Sequence, residues 1–69
     1  MPLTMAGVGA ERPITRIGGG PSVRAHLKDL GFTVGERVRV VADISGNLIV
    51  QVKEARVAIS RELAIRIMV

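Results

Sequence analysis

The segment from Pro21 to Gly35 constrains the fold most, because it contains one short helix together with both of its ends. Ser22 is a typical N-cap, since its hydroxyl can accept hydrogen bonds from the unpaired amides of the first turn. The apolar residues that follow recur at helical spacing and form one face: Val23, Leu27 and Leu30. The segment therefore predicts a short helix that starts at a serine cap.

The end of this helix is predicted at Gly31. If Gly31 adopts a left-handed conformation just after the helix, Leu27 and Phe32 occupy the two positions whose apolar contact accompanies a Schellman motif. Gly35 then marks a turn, and the chain from Arg37 onward alternates like a strand. We expect this helix to pack against a curled sheet.

Length and composition limit the classes of protein. Residues 1–69 make a single domain, and a chain of this size buries only about 60% of the surface that its unfolded form exposes. There is no cysteine, hence no disulfide and no thiolate metal site. Residues 1–10 lack the basic start of a secretion signal, and no apolar run approaches the roughly 18 residues of a membrane span. We expect a soluble, cytoplasmic protein.

The charge favours an acidic partner. Ten Lys and Arg against six Asp and Glu give a net charge of +4, which suits a nucleic acid, an anionic membrane surface or an acidic protein face. Phe32 is the only aromatic residue, whereas binders of single-stranded nucleic acid and of proline-rich peptides use aromatic platforms. Those two uses are therefore disfavoured, and we expect no nucleic acid partner.

The rest of the chain reads as short strands. Residues 1–9 are apolar but irregular and are expected to form an extended arm that closes one end of the core. Residues 14–17 predict a first strand. After the helix, alternation in residues 37–44 places Val38, Val40, Ala42 and Ile44 inward. Ser45-Gly46-Asn47 signals a hairpin, strands are predicted near residues 48–53 and 56–60, residues 61–64 form a helical turn, and Ile65, Ile67 and Val69 end the chain.

This pattern predicts a mainly β fold. The elements best fit a small, closed SH3-like barrel of about five strands, with one short α-helix after the first strand and a helical turn before the last, because closure removes unpaired edges. An open sheet with the helix on one face is the alternative.

Apolar residues on the predicted outer face need a cover. Val41, Ile49 and Met68 point outward among Arg and Lys side chains. One interpretation is that the N-terminal arm or the helix covers them, and the other is an exposed patch for a protein partner.

No motif for catalysis stands out. His26 and Asp29, three residues apart on the helix, are the nearest to a metal-binding pair, but two ligands are not a site. No Ser lies beside a plausible base, and the carboxylates are dispersed. The glycine run before the helix lacks the spacing of a nucleotide-binding loop. We expect no enzyme, no resident metal and no cofactor, with Fe(II) or another divalent ion as the alternative.

Four segments in order resemble one known family. They are LKDLGF (residues 27–32) followed by Gly35, GNLIVQVK (46–53), RVAI (56–59) and ELAIRIMV (62–69). The chain is similar over nearly its whole length to the FeoA family, ferrous iron transport protein A. The resemblance implies an SH3-like barrel in the bacterial cytoplasm that assists FeoB, the Fe(II) membrane transporter, and it implies no catalytic residue.

Three functions follow for testing. The first is a protein-binding accessory module whose docking surface is the exposed side of the helix (Arg24, His26, Lys28 and Asp29), or else the strand face. The second is a small basic nucleic acid binder, and the third is metal sensing through His26 in an oligomer. Self-association into a homo-oligomer is left open by the sequence.

Overall fold

The computed structural model describes residues 1–69 and confirms a mainly β domain with one short helix and a helical turn before the last strand. It has six strands rather than about five. The elements are a 3₁₀ turn (Leu3–Met5), β1 (Glu11–Pro13), β2 (Arg16–Ile17), α1 (Pro21–Asp29), β3 (Arg37–Ile44), β4 (Asn47–Val52), β5 (Ala55–Ser60), α2 (Arg61–Ala64) and β6 (Ile67–Met68).

The strands form two antiparallel sheets. One has the order β1-β3-β4-β5, and β2 pairs with β6 in the other. No strand pairing joins the two sheets. The strands therefore do not form the continuous closed barrel that the sequence predicted. The core is entirely hydrophobic and receives side chains from both helices, from both sheets and from the 3₁₀ turn. Its twelve buried residues are Leu3, Ile14, Leu27, Phe32, Val38, Val40, Leu48, Val50, Val52, Ile59, Ala64 and Ile67.

The first strand predicted at residues 14–17 is present only as β2 (Arg16–Ile17), and β1 (Glu11–Pro13), which was not predicted, precedes it, so α1 follows the second strand. The prediction of one strand over residues 14–17 is wrong because the chain changes sheets at Ile14. Its amide donates to the carbonyl of Glu36 (2.9 Å) and its carbonyl accepts from the amide of Gly35 (2.8 Å). Before this point β1 pairs with β3, and after it β2 pairs with β6.

The C-terminal end of α1 is the predicted Schellman motif. Gly31 has φ = +104°, and its amide donates to the carbonyl of Lys28 at 2.9 Å. The amide of Phe32 donates to the carbonyl of Leu27, also at 2.9 Å, and both of these side chains are buried. The cap and the hydrophobic core therefore stabilise the same turn.

The N-terminal end of α1 differs from the prediction. Gly20, in an extended conformation, is the N-cap, and Pro21 is the first helical residue. Proline suits this position because its fixed φ is already helical and its missing N–H would have no partner there. Ser22 thus lies inside the helix, and no side chain caps its start.

A β-bulge in β3 changes which side chains face outward. The β3–β4 hairpin forms as predicted, with Ser45 (φ = +50°) and Gly46 (φ = +87°) as its two turn residues. Val40 pairs with Val50, but the next β4 residue, Ile49, pairs with Ala42, so Val41 is the extra residue. Past the bulge the alternation is reversed.

The inward placement of Ala42 and Ile44 is therefore wrong. Ala42 shares the face of its partner Ile49, and Ile44 shares that of Asn47, both on the side away from the core. Ile44 is 59% exposed. The alternation rule fails here because one inserted residue moves every later side chain of the strand to the other face.

The two ends of the chain meet at the β2–β6 sheet. The arm contains a 3₁₀ turn instead of being extended throughout, and its Leu3 is buried. The amino group of Met1 donates to the carbonyl of Val69 (3.0 Å), and the amide of Val69 donates to the carbonyl of Met1 (2.8 Å). The arm therefore closes one end of the core, as predicted, through a turn.

The helical turn α2 is confirmed at residues 61–64. Ser60 caps it, since its hydroxyl accepts from the amide of Leu63 (3.3 Å). Ile65 was expected in the last strand, but it follows α2 as its C-cap and is exposed. The last strand begins only at Ile67.

Candidate docking surfaces

Helix α1 exposes the four of its side chains that were predicted to bind a partner: Arg24, His26, Lys28 and Asp29. Its apolar face is turned to the core, with Leu27 buried and Val23 and Leu30 packed against the core cluster. Arg24 and Lys28 are four residues apart and so lie on the same flank. The structure does not bring His26 and Asp29 to that flank.

A groove runs along this flank of α1. Its volume is about 420 Å³, and we call it the α1 groove; its lining residues are Arg16, Ile17, Arg24, Lys28, Phe32, Thr33 and Val34. The predicted residues Arg24 and Lys28 form part of its wall, and Val34 is 64% exposed within it. The α1 groove therefore combines an apolar surface with cationic side chains.

Sequence reasoning missed the residues that β2 contributes to the α1 groove. Arg16 and Ile17 stand opposite Met68 and Ile67 in the two-stranded sheet. Their position beside the helix depends on the change of sheet at Ile14, for which the sequence contains no local signal.

The cations of the α1 groove have no acidic partner. The structure has two salt bridges, between Arg37 and Glu11 (2.7 Å) and between Arg61 and Asp43 (3.0 Å), both exposed. Neither involves a residue of the groove. No lining residue of the groove is acidic, so its positive charge is available to an anionic ligand.

The pKa of one carboxyl group is lowered by its neighbours. The pKa of Glu11 lies below its ordinary value, first because Arg37 donates a hydrogen bond to the carboxylate and second because the Arg37 charge favours the ionised form. This pair lies on the four-stranded sheet. It neutralises one of the arginines there.

The predicted apolar patch is only partly assembled. Val41 and Ile49 lie half-buried on the outer face of the four-stranded sheet, whereas Met68 belongs to the other sheet and forms a bridge with Pro2. Val8 from the arm lines the same shallow cavity as Val41. The arm thus lies near Val41, through Val8, and near Met68, through Pro2.

The side chains of this chain do not form a complete metal-binding site. No group of three or more His, Cys, Asp or Glu side chains is placed so that it could hold a metal ion. His26 and Asp29 remain a pair on the exposed side of α1. Neither α1 nor α2 has the length and continuous apolar surface that a membrane-spanning helix requires.

Comparison with known proteins identifies the family. A protein of Methanocaldococcus jannaschii, provisionally described as Fe(2+) transport protein A, is 32% identical over 68 residues, which cover 99% of this chain and 83% of that protein. The crystal structure of an iron uptake regulatory protein (FeoA) superposes with a TM-score of 0.88 at 33% identity, covering 96% of this chain and 88% of the other.

A second structure confirms the fold class. FeoA of Stenotrophomonas maltophilia in complex with zinc, described as a procaryotic SH3 domain protein, has a TM-score of 0.84 at 27% identity and covers 99% of this chain and 87% of its own. The fold is therefore SH3-like, as predicted. The model of the FeoA domain matches residues 1–69, and we conclude that this chain belongs to the FeoA family.

Proposed function

We propose that this protein is a cytoplasmic accessory of ferrous iron uptake that binds an FeoB-type Fe(II) membrane transporter and regulates it through protein contacts, without enzymatic activity. The match of the FeoA domain model to the whole chain carries the proposal. The M. jannaschii relative, described in terms of Fe(2+) transport, supports the same process. The S. maltophilia relative is discussed as a candidate activating factor of ferrous iron transport, which supports a regulatory role.

The α1 groove is the docking surface that we assign to the transporter. Protein interfaces combine a desolvated apolar centre with a polar rim in which arginine is enriched. Ile17 and Val34 supply exposed or half-buried aliphatic surface, and Arg24 supplies a cation at the edge. The groove therefore suits a partner segment that offers an apolar side chain flanked by acidic ones.

The helix is well suited to hold this surface in place. The Schellman hydrogen bonds and the buried Leu27–Phe32 pair fix the C-terminal end of α1, and Phe32 also lines the groove. A rigid surface loses little conformational entropy on binding, which favours affinity. Arg24 and Lys28 thus project from an element that is ordered before the partner arrives.

A binding experiment with the cytoplasmic domain of the transporter tests the proposal. We expect the double variant Arg24→Glu, Lys28→Glu to bind at least about tenfold more weakly, because reversed charges repel an acidic partner segment. The matched control, Arg12→Glu, Arg66→Glu, changes the net charge equally at two exposed arginines outside the groove and should bind nearly normally. Normal binding by the first variant would reject the groove, and no binding by the wild type would reject the partnership.

Metal binding is a second candidate function, favoured by the zinc in the S. maltophilia structure. In this chain His26 and Asp29 would supply two ligands, and a further molecule would have to complete the site. Titration with Zn(II) and Fe(II) followed by calorimetry and sedimentation tests it. We expect the wild type to self-associate when metal is added and His26→Ala not to do so. Self-association of His26→Ala equal to that of the wild type would exclude His26 as a metal ligand.

A further inference from the structure

The outer face of the four-stranded sheet is amphipathic along the strands. Towards the β3–β4 hairpin most of its side chains are small or aliphatic (Val41, Ala42, Ile44, Ile49 and Ala58), and Asn47 and Ser60, at the ends of β4 and β5, are the polar ones. Towards the opposite end it carries Arg37, Arg39, Lys53 and Arg56. The bulge at Val41 produces the aliphatic half, because it moves Ala42 and Ile44 out of the core side.

A cationic row crosses three strands of this face. Arg39 pairs with Gln51, and Gln51 pairs with Arg56, so the three side chains stand next to each other on β3, β4 and β5. The Nε of Arg56 donates to Oε1 of Gln51 at 3.2 Å. Neither arginine is in a salt bridge, and Glu11, which stands opposite Arg39 on β1, is bonded to Arg37.

A cavity of about 330 Å³ opens between these arginines and the arm. Its lining includes Arg39, Gln51 and Arg56 together with Val8 and Val41, and it contains no acidic residue. A neighbouring cavity of about 350 Å³ shares Arg39 and Gln51 but also contains Glu11 and Glu36. The first cavity is thus the more suitable place for an anionic group.

The loop at the edge of this cavity exposes an aliphatic side chain. Val8 is 64% exposed and lies between Gly7 (φ = +81°) and Gly9 (φ = +92°). The amide of Gly9 donates to the carbonyl of Val40 at 2.8 Å, which fixes the loop beside the bulge. Val8 is therefore held at the surface next to the cationic row.

We propose that this face binds the surface of an anionic phospholipid bilayer. Arg39 and Arg56 hold lipid phosphates, because guanidinium groups make paired hydrogen bonds to phosphate oxygens. Val8 and Ile44 enter the boundary between head groups and acyl chains, as aliphatic side chains of amphipathic surfaces do. The protein lies on the membrane in this complex and does not enter its interior.

Charge and shape favour this occupant over three others. A second copy of the chain would bring like charges together, since the only acidic side chain among the paired residues of this face, Glu11, is bonded to Arg37. Nucleic acid has no partner for the aliphatic half, and this face has no aromatic side chain for stacking bases. A protein would typically anchor a large side chain in a mainly apolar pocket, whereas the linings of both cavities here are about as polar as they are apolar.

Sedimentation with vesicles tests the inference on the full chain. The probes are vesicles of phosphatidylcholine alone and vesicles of phosphatidylcholine and phosphatidylglycerol in equal parts. We expect binding to the anionic vesicles only, weakening as salt is raised because the charges are screened. The double variant Arg39→Glu, Arg56→Glu should bind about 30-fold more weakly, since each basic residue near an anionic membrane contributes to binding.

Control variants separate this site from general charge. Arg12→Glu, Arg66→Glu has the same net charge as the double variant of the sheet and should lose much less binding. Ile44→Asp should weaken binding to anionic vesicles although it leaves Arg39 and Arg56 in place. The inference is overturned if the wild type does not bind anionic vesicles at low salt, if the control pair loses as much as the sheet pair, or if the sheet arginines affect only nucleic acid or protein binding.

The inference is independent of the proposed function. The first cavity on the sheet and the α1 groove share no lining residue. Variants of the sheet arginines should therefore still bind the transporter domain in solution, and variants of Arg24 and Lys28 should still bind vesicles. Failure of one result leaves the other unaffected.

Discussion

The α1 groove and the outer sheet face are both basic and partly apolar, but they are constructed differently. In the α1 groove, Arg24 and Lys28 come from one turn of a single helix. On the sheet, Arg39 and Arg56 come from two strands separated by β4 and are brought together by strand register. The first arrangement follows from local spacing, whereas the second depends on pairing between distant segments and on a bulge.

The two surfaces differ in how well they tolerate an inserted or deleted residue. A helix keeps residues at positions i and i+4 on one flank whatever its neighbours do. A sheet keeps its faces only as long as its register is kept, and one inserted residue exchanges them. The sheet surface is therefore the more sensitive of the two to insertions and deletions.

The largest expected effect on stability is the difference between alanine substitutions at Leu48 and at Ile44. Simple alternation places both side chains inward, but the bulge leaves Leu48 buried and Ile44 59% exposed. We expect Leu48→Ala to lower the free energy of unfolding by about 2–5 kcal/mol. Ile44→Ala should cost about 1 kcal/mol or less, because little apolar surface is lost from the core.

Urea denaturation of both variants measures this contrast. Equal destabilisation by the two substitutions would mean that Ile44 is buried and that the bulge is not at Val41. The outer sheet face would then lose the side chains of Ala42 and Ile44.

The second effect concerns the glycine that ends α1. Gly31→Ala should lower the free energy of unfolding by about 1–3 kcal/mol, because a residue with a side chain is strained at φ = +104°. The added methyl group itself has room, since its nearest neighbours are methyl groups of Val52 at 3.7 and 3.8 Å.

Gly20→Ala is the matched control at the other end of the helix. Gly20 has φ = −77°, and nothing lies within 4 Å of the position that a methyl group would take. It should change stability only slightly. If both substitutions cost the same in thermal or urea unfolding, the left-handed cap does not contribute to the stability of the α1 groove.

The smallest effect is a pH dependence on the sheet. Because the pKa of Glu11 is lowered in the folded protein, the ionised carboxylate stabilises the fold above its ordinary pKa of 4.5. This contribution is lost as the pH falls through the lowered value. Both partners are exposed, so solvent screens the interaction and the effect should be small.

Glu11→Gln tests this pair. The stability difference between wild type and variant should be present at neutral pH and disappear in acid, as followed by urea denaturation across the acidic range. Glu54→Gln, at an exposed carboxyl group without an ion pair, should show no such convergence. A pH-independent difference for Glu11→Gln would show that charge is not its cause.

The sequence by itself determined the helix end and the hairpin. Gly31, Leu27 and Phe32 specify the Schellman motif through local spacing, and Ser45-Gly46 specifies the tight turn, since both depend on residues that are close along the chain. The mainly β class and the family resemblance follow from the order of such local signals. The cationic flank of α1 follows in the same way.

Only the tertiary structure decided how the strands divide between two sheets and where the alternation reverses. The change of sheet at Ile14 brings Arg16 to the α1 groove, and the bulge at Val41 moves Ile44 outward. Both result from competition among hydrogen-bond partners that are far apart in sequence. A residue's own neighbours do not encode that competition, because the same alternating strand can pair in more than one register until the rest of the fold selects one.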